Sequence, residues 1–282
     1  MTVSVLILTK NEERDLPECL RSVRWADDVH VLDSGSTDRT VEIATASGAV
    51  VTSRQYDPQL GPFGGNEAEH RNWALRNLPF RHPWVLQLDA DERVTPELAG
   101  SVLAAVRAAG DRVAFRLRRR DIFLDTWLRH VQATAWYMRV FRPERMRFER
   151  LINPVSIADG PVGELEGYLD HHPFSKGMAH WLARHNSYST LEAQQLVSNR
   201  ARGEGFKIAS ALFEADFHRR RFHQKELFYR LPARPVLKFL LLYIAKLGFL
   251  DGRAGFTYAA LQSIYEYFIV LKTRELTRAA DQ

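Results

Sequence analysis

Positions 89–92, Asp89-Ala90-Asp91-Glu92, carry the most specific chemistry in this chain of 282 residues. They follow Trp84-Val85-Leu86-Gln87-Leu88, an apolar run suited to a buried strand. Two carboxylates at i and i+2 beyond a strand end make a compact, oxygen-rich group. Hard divalent cations such as Mg2+ or Mn2+ take such ligands and complete their shell with substrate phosphates. The other use of the same tripeptide is an acidic turn that caps the next helix. Two more polar clusters stand earlier, Thr9-Lys10-Asn11-Glu12-Glu13 and Asp33-Ser34-Gly35-Ser36-Thr37-Asp38.

These clusters need elements that bring them to one edge. Val3 to Leu8 is a short apolar run fit for a buried parallel strand. Leu16, Leu20 and Val23 follow at helical spacing, with Pro17 tolerable in a first turn. Val29 to Leu32 predicts a second strand, and Ser36, Thr37 or Asp38 can cap the helix carrying Val41, Ile43 and Ala44. A third strand is expected over Ala49 to Thr52, a helix over Ala68 to Leu78, and a further helix from Pro96 to about Ala109. This is the β-α-β-α rhythm of an open, mostly parallel sheet flanked by helices. Ligands of such sheets bind beyond the carboxyl ends of the strands, where the three polar clusters fall.

The order of these segments resembles the nucleotide-binding half of the family-two inverting glycosyltransferases. The segments are Ser4 to Glu13, Val31 to Asp38, Asn66 to Asn72 and Leu88 to Glu92. The resemblance implies the α/β fold called GT-A and a nucleotide-diphosphate sugar as donor. It assigns Thr9, Asn11, Glu12, Asp33 and Ser34 to the base and ribose, with Arg71 on a helix that also faces the nucleotide. It assigns Asp89 and Asp91 to a Mg2+ or Mn2+ on the diphosphate, with Asp89 also touching the donor. A carboxylate suits ribose hydroxyls or a base N–H, and a cation offsets charge on the leaving nucleotide. Asn11 can equally cap the first helix, Asp38 suits a cap, and Arg71 can be a solvated helix residue.

Later segments are similar to a bacterial branch that serves lipopolysaccharide-core and exopolysaccharide synthesis. They include Phe141-Arg142-Pro143-Glu144, Gly160-Pro161-Val162-Gly163, Leu169-Asp170-His171-His172 and His185 to Ala193. An inverting transfer needs a base for the acceptor hydroxyl. Relatives carry His-Glu or Asn-Glu after the Asp-x-Asp region, whereas Ile152-Asn153-Pro154 has Pro in the place of Glu. Glu149 is the first substitute, then Asp170 and His171. His171 and His172 can alternatively meet the metal or a phosphate, and His185 beside Trp181 and Tyr188 suits a packed position. Loops at 55–65 and 118–135 are expected to shape the pocket.

The domain expected over 1–175 divides into a nucleotide half (1–100) and an acceptor half (101–175). A helical, basic and aromatic extension follows over 176–282. The formal charge of +5 is uneven. Residues 201–282 hold 14 Lys or Arg against 8 Asp or Glu, a net +6, which leaves −1 for residues 1–200. That split argues against a nucleic-acid partner. Two apolar stretches, Val236 to Leu250 and Ala254 to Leu271, are too short to span a bilayer as straight helices, since ~1.5 Å per residue falls below a ~30 Å core. Arg219, Arg220, Arg221, Lys225, Arg230, Arg234 and Lys238 precede them, and Lys272, Arg274 and Arg278 follow. The pattern suits an anionic membrane surface, with the enzyme cytoplasmic and peripheral on the inner face of the cell membrane. The alternatives are packing on the catalytic domain or a homo-oligomer. A lone Cys19 excludes an internal disulfide. Thr9-Lys10-Asn11-Glu12-Glu13 lacks the glycines expected of a sugar-1-phosphate nucleotidyltransferase. An Asp-x-Asp phosphatase would carry its nucleophile near residue 8, far from 89 and 91.

Overall fold

A computed structural model describes residues 3–57, 65–132, 134–149, 154–201, 208–213 and 217–280. The chain forms two compact units, one of residues 1–122 with 134–175 and one of residues 123–133 with 176–282. The single cut expected at 175 therefore leaves out a crossing, because 123–133 sits with the helical unit.

The first unit alternates strand and helix as the periodicity requires. Its first half holds β1 (Ser4–Thr9), α1 (Leu16–Ser22), β2 (Val29–Asp33), α2 (Thr40–Ala46), β3 (Val50–Ser53), α3 (Glu67–Asn77), β4 (Val85–Asp89), β5 (Glu92–Val94) and α4 (Pro96–Arg107). Next come β6 (Ala114–Phe123), the short β7 (Thr126–Trp127), β8 (Trp136–Phe141), β9 (Met146–Glu149), β10 (Val155–Ala158) and β11 (Val162–His171). The strand order is β3-β2-β1-β4-β8-β6-β11-β5. Strands β3, β2, β1 and β4 are parallel. β8 runs antiparallel to β4 and β6, β11 parallel to β6, and β5 antiparallel to β11. β9 and β10 form a separate ribbon.

Successive strand residues face opposite sides, so β1 is apolar on both. Val5 and Ile7 join Leu86 and Leu88 of β4 against Leu16 of α1 and Leu98 and Val102 of α4. Leu6 and Leu8 join Val85 and Phe141 against Ala68 and Ala74 of α3. Two packed faces leave the carboxyl ends of these strands as the place where polar side chains gather. The chain moves outward from β1 to β2 and β3, then returns to β4 on the other side of β1. That reversal opens a crevice at the carboxyl ends of β1 and β4.

Several strands escape the sequence pattern, β5 and β11 among them. β5 is only three residues long, and β11 mixes Gly163, Glu164, Glu166 and Gly167 among its apolar positions. The region 118–135, expected to be a loop, begins as the continuation of β6.

The second unit contains α5 (Met178–Ala201), α6 (Ile208–Phe213), α7 (Phe217–Arg230), α8 (Arg234–Leu240) and α9 (Gly252–Ala280). Leu196, Tyr229 and Ile269 form its small core. Lys272 Nζ donates to Asn186 O, Ser189 Oγ and Thr190 Oγ1, which ties α9 to α5. Val236 to Leu250 is not one helix. After α8 the backbone passes through a π-helical turn (Leu241–Ala245) and, beyond a left-handed Leu247 at φ 58°, a 3-10 turn (Gly248–Asp251). Among the described residues, no helix is long and apolar enough to cross a membrane.

Candidate active site

Strand register brings the first polar residues together. Thr9 lies opposite Asp33 across β1 and β2, and Leu8 lies opposite Asp89 across β1 and β4. Thr9 Oγ1 donates to Asp33 Oδ1 at 3.0 Å. Asp33 Oδ2 accepts from the backbone N–H of Gly35 (3.0 Å) and Ser36 (2.9 Å), and Ser36 Oγ donates to Oδ1. Asp33 is 1% exposed, so its carboxylate organises this loop with both oxygens in use. Asn11, at φ 56°, caps no helix. Its Oδ1 accepts from the Thr37 N–H at 2.8 Å, and its own N–H donates to Ser36 Oγ at 2.8 Å. The Glu12 N–H donates to Thr40 Oγ1 at 2.7 Å. Asp38 accepts from Glu13 and Thr40, which bonds the two loops into one rim.

Beside this rim is an aromatic wall. The Arg54 guanidinium lies 4.9 Å from the ring centroids of both Tyr56 and Trp73. His70 on α3 meets Tyr56 Oη through Nδ1 (2.6 Å) and Ser34 Oγ through Nε2 (3.2 Å). Burial, with the charges of Arg71 and Arg54, pushes the His70 pKa down to about 3, so its ring is neutral there. Residues 58–64 of the expected pocket loop lie outside the described residues.

The two aspartates of the Asp-x-Asp pair are not equivalent. Asp89 meets Arg71 through Oδ1 (3.2 Å) and Arg139 through Oδ2 (2.8 Å). Burial opposes its charge, but the two guanidinium groups outweigh burial and hold its carboxyl well below the usual carboxylate range. Arg139 also donates to Glu92, which is fully buried and accepts from the Asp89 N–H at 2.9 Å. Burial raises the Glu92 pKa. Asp89 is thus a charge partner with both oxygens engaged by arginines.

Asp91 takes a histidine as its partner in place of arginines. Its Oδ2 faces His171 Nε2 at 3.3 Å, and Asp121 Oδ1 meets His171 Nδ1 at 2.5 Å. β11 creates this triad because His171 is opposite Asp121 on β6 and opposite Glu92 on β5. The His172 N–H donates to Asp91 O at 2.9 Å and closes the turn. Burial disfavours charge on His171, yet the hydrogen bonds to Asp121 and Asp91 prevail and its pKa is pushed up to about 9. The acids at 89–92 do not cap α4, because Thr95 Oγ1 accepts from the Leu98 N–H in that role.

The other candidates separate. Asp170 faces away from His171, as neighbours on a strand must, and pairs with Arg120 (Nη2 to Oδ2, 3.0 Å). Glu149 is exposed at the end of β9 and pairs with Arg147 at 3.0 Å. Asn72 clasps the neighbouring Phe148 backbone in both directions at 2.8 Å, one residue after Arg71 reaches Asp89. Ile152 and Asn153 lie outside the described residues. His185 stacks on Trp181 at 3.6 Å between ring centroids and bonds Trp181 O, so it is a packed residue.

Sequence reasoning missed Asp121, Arg139 and Asp15, and Arg119, which pairs with Asp121 at 3.3 Å. Arg139 interrupts the apolar Trp136–Phe141 strand, and a charge inside such a run is a signal of a buried partner. Asp15 is 2% exposed and links Arg93 to Ser175, which anchors β5 to the end of β11; nothing local marks it.

The chain is 24% identical over 277 residues to the lipopolysaccharide core biosynthesis glycosyltransferase LpsC of Rhizobium meliloti, covering 96% of this chain and 92% of that protein. It is 26% identical over 238 residues to the uncharacterized glycosyltransferase RT0209 of Rickettsia typhi, covering 78% of each. Among solved structures it is similar to glucosyl-3-phosphoglycerate synthase from Mycobacterium tuberculosis in complex with Mn2+, UDP and glucosyl-3-phosphoglycerate. That match has 27% identity and a TM-score of 0.35, and covers 42% of this chain and 44% of that one. The mixed sheet flanked by helices is the GT-A architecture expected from the sequence. Residues 4–163, more than half of the chain, match Glycosyl transferase family 2, so the protein belongs to that family and is a glycosyltransferase.

Proposed function

We propose that this enzyme moves a sugar, with inversion, from a nucleotide-diphosphate donor to a hydroxyl of a lipopolysaccharide, exopolysaccharide or lipid-linked acceptor. The observation that carries the reading is the Asp121–His171–Asp91 triad at the crevice beyond β1 and β4. LpsC, whose alignment spans nearly the whole chain, supports the acceptor class.

The residues at the triad fit a divalent cation. Binding would release the His171 proton: Asp91 Oδ2 and the neutral Nε2 of His171 would then converge on the cation, with Asp121 holding Nδ1 on the far side of the ring. Among the described residues, no group of three or more His, Cys, Asp or Glu is placed to hold a metal ion by itself. Mg2+ or Mn2+ accepts such a partial set, since phosphates and water supply the rest. Bound by Asp91 and His171, the cation would offset negative charge on the departing nucleoside diphosphate.

The chain's own residues do the remaining work. The loops joined by Asn11, Glu12 and Asp33 form the rim for base and ribose, with Thr9 and Ser34 as its supports. Arg71 and Arg139 fix Asp89, which keeps the turn carrying Asp91 in place. Glu149 is the proposed base: it would take the proton of the acceptor hydroxyl as that oxygen bonds to the anomeric carbon and the bond to the diphosphate breaks. Asn72 supports this assignment by tying the β9 backbone to the helix that carries Arg71.

The test uses purified protein, a panel of nucleotide sugars, and Mn2+ or Mg2+. Donor hydrolysis or transfer is expected with metal and is expected to vanish in Asp91→Asn. Electron paramagnetic resonance of Mn2+ should show binding to the parent chain and loss of binding in Asp91→Asn and His171→Ala. Unchanged Mn2+ binding in both variants would remove the triad as a metal site.

A further inference from the structure

The helical unit ends α8 in a tip whose apolar side chains point outward. Leu247, Phe249, Leu250 and Phe256 are 45% to 57% exposed, and Leu240, Leu241 and Ile244 are exposed with them. The patch is continuous. The Tyr243 ring lies 6.3 Å from Phe249 and 5.5 Å from Phe256, and the Phe239 ring lies 5.7 Å from Phe256.

The backbone holds these side chains out. Left-handed Leu247 and Gly252 (φ 58° and 60°) turn the chain twice within six residues. A Cβ on Gly255 would meet Gly248 O at 2.0 Å, and one on Gly248 would meet Leu242 O at 2.6 Å, so the turn is closed by backbone contact. Asp251 completes it, with Oδ2 accepting from the N–H groups of His130 (2.9 Å) and Val131 (2.8 Å) and Oδ1 meeting His130 Nδ1 at 2.6 Å. A turn bonded this tightly does not let Leu247, Phe249 and Leu250 fold inward.

Charge selects the occupant. Asp251 is the sole acid between positions 231 and 256, and it is 6% exposed with its oxygens in use. Lys246 and Arg253 are exposed beside the apolar residues. A second copy seated on this patch by a two-fold axis would set these like charges against each other. An anionic bilayer accepts both features: leucine and phenylalanine enter the headgroup boundary, while lysine and arginine meet lipid phosphates.

We infer that the tip over 240–256 is a membrane anchor that inserts into the interface of an anionic bilayer without crossing it. The inference requires no step of sugar transfer. It would place the enzyme where a lipid-borne acceptor is found, and that consequence alone rests on the acceptor proposed above.

The full chain is sedimented with vesicles of phosphatidylcholine mixed with phosphatidylglycerol, and with phosphatidylcholine alone. Preferential binding to the anionic vesicles is expected. The double variant Leu247→Glu with Leu250→Glu should bind about tenfold or more weakly, since two buried leucines are replaced by charges. Donor hydrolysis and melting temperature should stay at the parent values, which separates loss of anchoring from loss of fold or of the enzymatic reading. In Phe249→Trp, brominated lipid should quench the introduced indole. Equal vesicle binding by the glutamate variant, or an indole that brominated lipid leaves unquenched, would overturn the anchor. A dimer in sedimentation equilibrium that the glutamate variant dissociates, without vesicle binding by the parent, would assign the patch to a second copy instead.

Discussion

Arg139 shows how one side chain sets the character of several others. It is 6% exposed and bridges Asp89 and Glu92. A buried charge pair adds little over a well-packed apolar pair, but removing one partner leaves an uncompensated charge in a dry site. Arg139→Met should therefore destabilise the catalytic unit by about 3–5 kcal/mol, measured by urea unfolding. A variant as stable as the parent would show that Asp89 and Glu92 do not depend on Arg139. Asp33 teaches the complementary point: its hydrogen bonds to Thr9, Gly35 and Ser36 make it the builder of the rim on which it stands.

Elements determine which residues can meet. β5 is too short to read from periodicity, yet its antiparallel register with β11 sets His171 against Glu92 and so beside Asp91. Two glycines test the same principle in the helices. Gly255 in α9 lies where a Cβ would collide with backbone, so Gly255→Ala should cost about 1–3 kcal/mol or more. Gly100 in α4 faces open space, and Gly100→Ala should stabilise by about 0.5–1 kcal/mol through helix propensity. Thermal unfolding of the pair decides both, and a shift of the same sign in the two variants would contradict the packing described for α9.

At the scale of the whole molecule, charge and apolar surface divide between two kinds of structure. Residues 1–200 carry −1, and residues 201–282 carry +6 together with the exposed leucines and phenylalanines of the tip. If basic residues contribute to anchoring, vesicle binding must weaken as salt shortens the reach of charge, from about 10 Å at 0.1 M to about 3 Å at 1 M. Binding should fall with salt and retain a salt-resistant remainder from the apolar tip. Vesicle sedimentation across a salt series checks this, and a flat series would leave Lys246 and Arg253 without a role.

From the sequence alone follow the elements β1 to β4 with their helices and α4, the two-sided burial of β1, and the gathering of polar clusters at carboxyl strand ends. Those features are local: strand and helix periods, caps and apolar runs report how each segment buries itself, and the segments of the Asp-x-Asp turn are contiguous. Tertiary structure alone decided that Asp89 meets two arginines and Asp91 a histidine. It also set His171 between Asp91 and Asp121, and turned the apolar tip outward. Those outcomes depend on the register of strands far apart in the chain, on an arginine arriving from β8, and on a left-handed residue at position 247. A segment's periodicity states which face it must bury, but carries no record of the partner that will cover that face or saturate its charges.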